Sequence, residues 1–548
     1  KAFSEKANDV GSRSEGVVAR ETGVEGKEED SMTEYLKDTA KHFMSSFNPL
    51  GVLRGVSKHT AKLVEGHEHD HKHHEHWHAN ETLRSDPCYN LFDFGLLEIW
   101  KAKEKPICKP PPSNPSSESP LTPGGIAPSR MPPSFLKCRV HTHPRLNRPT
   151  APHTICDGSN IVFDPSKLSP APCLKHRPNY MCEGGNSYHH FASGAFQANC
   201  QVVKGEGNQK GGLSLRNFPM DHLRDIFDSW RVTTETPQRA KISQAPVTLF
   251  VSREKGEHVN MYHTLTDWYM AWQALRVVEI SPDHVQVIIL DGHSEGPLDS
   301  FWNEVISRGA PMIRAKNIKS ALLMHRVVWS PPGYSNILLG KKWTDCKKAM
   351  RMMEAFVADV DDGFQSVHNE DMSTLNMLYI SRRPYQTDLV KRKFIGRQVD
   401  NEDALLHELE SLEGVKVSKA DFAHMNLKDQ IHAAAASDII VGMHGAALAH
   451  CLWMPPWGAL VEMGSRTNLG VYFEKISLWA GLHFENWYNK KYPVGFRKDD
   501  TGDYTTVDLK DFMNYARRAV SNVKSRKKQA FEYEHRLKES VALAAHPY

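Results

Sequence analysis

An α/β architecture with two parallel-sheet units facing a cleft is what this sequence predicts, and three observations predict it. Apolar, β-branched runs recur in two groups with helix-like stretches between them, the pattern of strands buried on both faces. One run, Ser437–His450 (SDIIVGMHGAALAH), stops at a loop of small residues before a helix-like stretch, the arrangement with which α/β proteins hold a phosphate. The apolar content is also confined: residues 1–152 are rich in Ser, Pro, Lys, Glu and His, and the rest carries nearly all strand-like segments. With 548 residues, 40% of them hydrophobic, the chain has room for two or three domains.

Residues 1–152 read as a largely irregular, low-complexity stem. It holds an amphipathic stretch at Met32–Phe47, a tract HEHDHKHHEHWH at His67–His78, and a Pro/Ser-rich linker at Pro106–Pro152. The His tract is either a metal chelator or a solvated stem that binds metal weakly. Cys88, Cys108, Cys138, Cys156, Cys173, Cys182 and Cys200 precede the first core strand. No CxxC pair occurs among the nine cysteines, which disfavours a zinc ribbon. Together with the sequon at Asn80, they point to an oxidising secretory compartment and one leftover thiol.

Residues 153–345 form the first Rossmann-like, acceptor-side unit, with strands at Pro246–Ser252, Val285–Asp291 and Ala321–Trp329. Between the first two lies Asn260–Trp268 (NMYHTLTDW), where helical spacing puts His263 and Asp267 on one face. Such a couple suits a general base, the carboxylate fixing the imidazole tautomer, and it equally suits a surface pair or a satisfied core histidine. Asp291–Ser294 (DGHS) sits at a sheet's carboxyl edge as a site element or a plain turn. Ser330–Tyr334 (SPPGY) is turn chemistry, and Tyr334, Trp268 and Trp302 are candidate sugar-stacking surfaces or core residues.

A helical then acidic segment, 346–373, reads as hinge and linker before the second Rossmann-like, nucleotide-binding unit at 374–506. There Leu375–Arg383 (LNMLYISRR) is a buried strand ending in Arg382 and Arg383. Carboxyl ends of parallel strands are where α/β sheets bind ligands, and the guanidinium fork suits a diphosphate. The alternative is a pair of solvated strand-end charges. Gly445 and Ala446 let backbone N–H groups approach an anion beside His444, and Glu462, closing the strand GALVEM, can accept from ribose hydroxyls or form a salt bridge. Residues 507–548 hold a terminal helix, Val507–Ala542, whose basic cluster KSRKK at Lys524–Lys528 reads as a solvated face. A net charge of +3 and the lack of a basic–aromatic stripe argue against nucleic acid. No segment reads as a membrane span or signal peptide, but a chain opening on Lys1 is no argument for cytosolic residence.

The ordered set MYHTLTDWYMAW, VIILDGHSEGPLDSFW, MHRVVWSPPGY, LYISRRPY and FAHMNLKDQIHAAAASDIIVGMHGAALAH resembles glycosyltransferase family 61, over roughly residues 245–490, and within it most of all the plant and algal N-glycan β-1,2-xylosyltransferase branch. The resemblance implies a GT-B fold, a UDP-sugar donor, and inverting transfer with no essential divalent metal or other cofactor. It implies UDP-xylose as donor, an N-glycan core mannose on a glycoprotein as acceptor, and a type II protein of the Golgi lumen whose membrane anchor is absent from this sequence. On it, Arg382, Arg383, His444, Gly445 and Ala446 belong to the diphosphate, Glu462 to the ribose, and His263 or Asp267 is the base. The His-rich stem and the Cys-dense segment 138–200 have no counterpart in that pattern. Two other readings stand: a protein O-linked N-acetylglucosamine transferase using UDP-GlcNAc, and a non-catalytic glycan-binding protein. A metal-buffering protein would rest on the His tract alone.

Overall fold

Two large sheets organise the chain, and their strands come from the buried apolar runs. The computed structural model describes residues 86–112, 122–141, 153–170, 189–205, 228–253, 259–331, 337–339, 348–383, 395–465 and 472–545, with residues 226, 333, 346, 385, 386, 391 and 392. The amphipathic stretch 32–47, the His tract 67–78, Asn80, Cys173, Cys182 and Tyr334 lie outside the described residues.

Helices α1 (Pro87–Phe92) and α2 (Phe94–Ala102) come first, followed by strands β1 (Glu104–Lys109), β2 (Phe135–His141) and β3 (His153–Phe163). Next are β4 (Val247–Val251), α3 (Met261–Val277), β5 (Val285–Ile289), β6 (Ile313–Arg314) and β7 (Leu322–Trp329). These strands lie in the order β6-β5-β4-β7-β3-β2-β1. The first four run parallel, whereas β7, β3, β2 and β1 pair antiparallel in turn.

That antiparallel half corrects the stem reading of residues 1–152, because residues 86–112 and 122–141, within the expected stem, already carry helices and strands of the first sheet. Its strands are interrupted by charged and polar residues and tied by cysteines: Cys138 faces Cys156 across β2 and β3 and bonds to it, and Cys108 bonds to Cys200. Cross-links supplement apolar burial in strands whose apolar runs are broken by Lys, Arg, His and Asp, so composition disguises the segment as a linker.

The segment expected as a helical, then acidic hinge, 346–373, does begin with a helix, α4 (Arg351–Phe364). Met352, Met353, Phe356, Val360 and Phe364 sink its inner face into a core shared by both sheets. Its start is capped from a distance, the Asp93 carboxylate accepting from the backbone N–H of Met352 (2.8 Å) and Arg351 (3.3 Å). A Cys88–Cys346 disulfide fastens α1 to the same region.

The second sheet contains β8 (Leu375–Ile380), α5 (Glu402–Glu410), β9 (Val415–Ala420), α6 (Leu427–Ala435), β10 (Ile439–Met443), β11 (Ala459–Gly464), α7 (Tyr472–Trp479), β12 (His483–Tyr488) and the long α8 (Leu509–Ala545). All five strands are parallel, in the order β9-β8-β10-β11-β12. The basic cluster on α8 is a solvated face only in part, since Lys524 and Lys528 are exposed but Arg526 and Lys527 turn inward. Lys527 is buried against Asp438 (3.1 Å), Arg526 donates to the carbonyls of Pro456 and Gly481, and Lys524 donates to that of Glu413. Among the described residues, no helix is long and apolar enough to cross a membrane.

Candidate active site

Strand order reverses between β8 and β10, since the chain leaves β8 for β9 on one side and returns to β10 on the other. Loops diverge at such a point and leave a crevice at the carboxyl ends of the strands. Arg382 follows β8 there, and His444 and Gly445 follow β10. A Cβ on Gly445 would fall on the Arg382 guanidinium, with Cζ only 2.8 Å away, so the absent side chain is what lets the arginine lie against this backbone. A 3₁₀ helix, Ala446–Trp453, begins at the same spot, and helix starts leave their first N–H groups without intrahelical partners.

Register then adds a carboxylate. Gly442 pairs with Glu462 across β10 and β11, which puts Glu462, 2% exposed, beside His444. Glu462 Oε1 bonds to His444 Nδ1, so the glutamate expected at the ribose stands behind the imidazole and turns its Nε2 outward. Arg383 points elsewhere: its guanidinium meets the buried Glu402 at 2.9 Å, which also takes Lys419 at 2.5 Å and the Ser381 hydroxyl. This network braces the strand end that carries Arg382. The structure thus brings Arg382, His444, Gly445 and Ala446 together, with Glu462 at their back and Arg383 turned to a structural partner.

On the other sheet, Asn260 caps α3 by accepting from the Tyr262 N–H (3.1 Å), and His263 is half-buried in the first turn. A run of rings leads from it to the first group. Tyr262 lies 5.7 Å from the His263 ring and 5.8 Å from Phe473 on α7, and Phe473 lies 5.2 Å from His444. The Leu338 carbonyl holds the two helices in place, accepting from the Tyr262 hydroxyl (2.6 Å) and from the Lys475 ammonium. Burial pushes Lys475 down to about 7.

Asp267 lies one turn further along α3. It is buried and accepts from the Gly333 N–H (2.7 Å), fixing the turn after β7. Asp291 is likewise structural: it caps His293 and grips Arg253 (2.7 Å), which also holds Asp299 (2.9 Å). Burial alone would raise the Asp291 carboxyl, but the Arg253 guanidinium overrides this and keeps it below the usual carboxylate range. Trp268 and Trp302 have no exposed surface, and Trp268 stacks on Phe301 at 3.8 Å; both are core residues.

Behind the crevice, His450 packs on Phe422 (4.7 Å between rings) and bonds to the Ala447 carbonyl. Burial pushes its pKa down to about 4 from 6.5. Between those values the unfolded chain binds the proton and the folded chain does not, so stability is lost as pH falls from 6.5 towards 4, by about 3 kcal/mol. His450→Leu should remove most of that dependence; urea midpoints at pH 7 and 4.5 that fall equally in both proteins would contradict it.

A parallel sheet offering a switch-point guanidinium and a helix start to one crevice is an arrangement chemically suited to a phosphate ester. Residues 261–461 match the family model described as Glycosyltransferase 61, which makes this part of the chain a transferase domain. A β-1,2-xylosyltransferase of Oryza sativa is 26% identical over 374 residues, covering 60% of this chain and 67% of that protein. One from Arabidopsis thaliana is 27% identical over 315 residues, covering 50% and 57%. An EGF domain-specific O-linked N-acetylglucosamine transferase of Pan troglodytes is 22% identical over 384 residues, covering 63% and 66%. The chain thus spans between 57% and 67% of the length of these relatives.

Proposed function

We propose that this chain is an inverting glycosyltransferase moving xylose from UDP-xylose, in β-1,2 linkage, to the core mannose of N-glycans. In this reading the two sheets are the lobes of a GT-B enzyme, residues 153–345 serving the acceptor and 374–506 the nucleotide sugar. One observation carries it: the Arg382 guanidinium laid on Gly445 beside the His444–Glu462 pair, where strand order reverses. His263 takes the proton from the acceptor hydroxyl as its oxygen attacks the anomeric carbon and UDP departs. Asp267 positions the turn at Gly333. Arg382, His444 and the backbone around Ala446 meet the charge that develops on the diphosphate, and Glu462 keeps His444 oriented. These groups supply the needed stabilisation without an essential metal or other cofactor. The disulfides support residence in an oxidising lumen, which we assign to the Golgi, with membrane attachment through an anchor outside this sequence.

A second reading, transfer of N-acetylglucosamine from UDP-GlcNAc to a protein hydroxyl, is favoured by the similarity to the EGF domain-specific transferases. A few pocket contacts decide between such donors. Calorimetric titration of UDP, UDP-xylose and UDP-GlcNAc, with donor hydrolysis followed in parallel, tests both. UDP-xylose should turn over in preference. Arg382→Ala should weaken all three by roughly 10- to 100-fold, while His263→Ala should keep donor affinity and lose transfer by about 100-fold or more. Arg382→Ala binding UDP like the wild type would remove the donor site.

A further inference from the structure

We propose that Arg397 is a further donor-site residue, a second guanidinium for the diphosphate. The inference rests on the nucleotide-sugar reading above and adds a residue that the sequence did not single out. Arg397 belongs to the short strand Ile395–Val399, which pairs with Gly502–Thr505 and lies against β10. The register slips between Ile395 and Gln398, and Arg397 sits in that irregularity with φ of 64°. A left-handed arginine costs on the order of 1 kcal/mol, and bulges re-aim side chains, often beside active sites.

The half-buried guanidinium interacts through space with Glu462 and with Asp503 but makes no hydrogen bond or ion pair with any described residue. Glu462 gives one oxygen to His444, and its Oε2 is buried with no hydrogen-bond partner among the described residues, as is Asp503 Oδ1. Arg397 is therefore a cation retained near the His444–Glu462 pair with its five N–H donors uncommitted to that surrounding. Arg383, the other arginine near the crevice, is already committed to Glu402. A diphosphate brings two negative charges, and a planar fork beside Glu462 matches its oxygens in pairs.

Binding of UDP and of uridine to wild type, Arg397→Ala and Arg397→Lys tests this, with thermal unfolding of each protein alongside. UDP affinity should fall about 10- to 100-fold in Arg397→Ala, uridine affinity should stay within about 2-fold, and Arg397→Lys should recover only part. Wild-type affinity for UDP in Arg397→Ala, an equal loss for uridine, or failure of both variants to fold would overturn the inference and leave the donor reading standing. A wild-type chain that binds no UDP would overturn both.

Discussion

Replacing Gly445 by alanine should abolish transfer while leaving the protein folded. The new methyl would occupy the position of the Arg382 guanidinium, and that guanidinium is the far end of a flexible side chain. The arginine can swing away without disturbing β8, so unfolding midpoints should match the wild type. The group aimed at the developing charge is lost, and losing one preorganised donor of this kind lowers kcat by about 100- to 1,000-fold. Measuring kcat/KM and UDP affinity beside a urea curve checks the separation. Full activity in Gly445→Ala would mean that Arg382 does not act from where it lies.

Asp438→Ala should act in the opposite sense, through stability. Asp438 opens β10 and is completely buried. It accepts from the Asn369 side chain (2.6 Å), the Asn376 N–H (2.9 Å), the Trp457 indole (2.9 Å) and the Lys527 ammonium (3.1 Å). Its removal strands four donors, one of them a buried cation, and breaking such a pair from one side costs about 3–5 kcal/mol. Lys527→Met should cost less than Asp438→Ala, because the carboxylate keeps its three other donors. A urea midpoint for Asp438→Ala within error of the wild type would refute this account of how α8 is attached.

The six strands at the heart of both sheets were legible because parallel strands covered on both faces are continuous apolar runs. The expected Leu375–Arg383 and the observed Leu375–Ile380 share their start, and the two arginines follow the strand after Ser381. Strand β9 (VKVSKA) was missed because it is a half-exposed edge, and β1 to β3 were missed because polar residues break their apolar runs while disulfides help to hold them. At the site, Arg382 and the Gly445 loop were legible as strand-end chemistry. The His444–Glu462 bond was not, since it depends on the register of β10 against β11, which residue types do not encode. Arg397 was hidden in a polar stretch because its importance lies in a backbone angle. Asp267 had the right spacing for a partner of His263, yet the turn at Gly333 claims it.

The first two helices have a consequence for how the chain reaches its native form. Phe92 packs on Trp479 at 5.0 Å, Asp93 closes the start of α4, and Cys88 waits for a thiol 258 residues ahead. Helices α1 and α2 therefore pack against parts of the chain made much later, and cannot complete their own packing until those parts are present. Closing so large a loop is entropically costly and slow, and a thiol left open in the meantime is exposed to mispairing with the other cysteines that emerge before its partner.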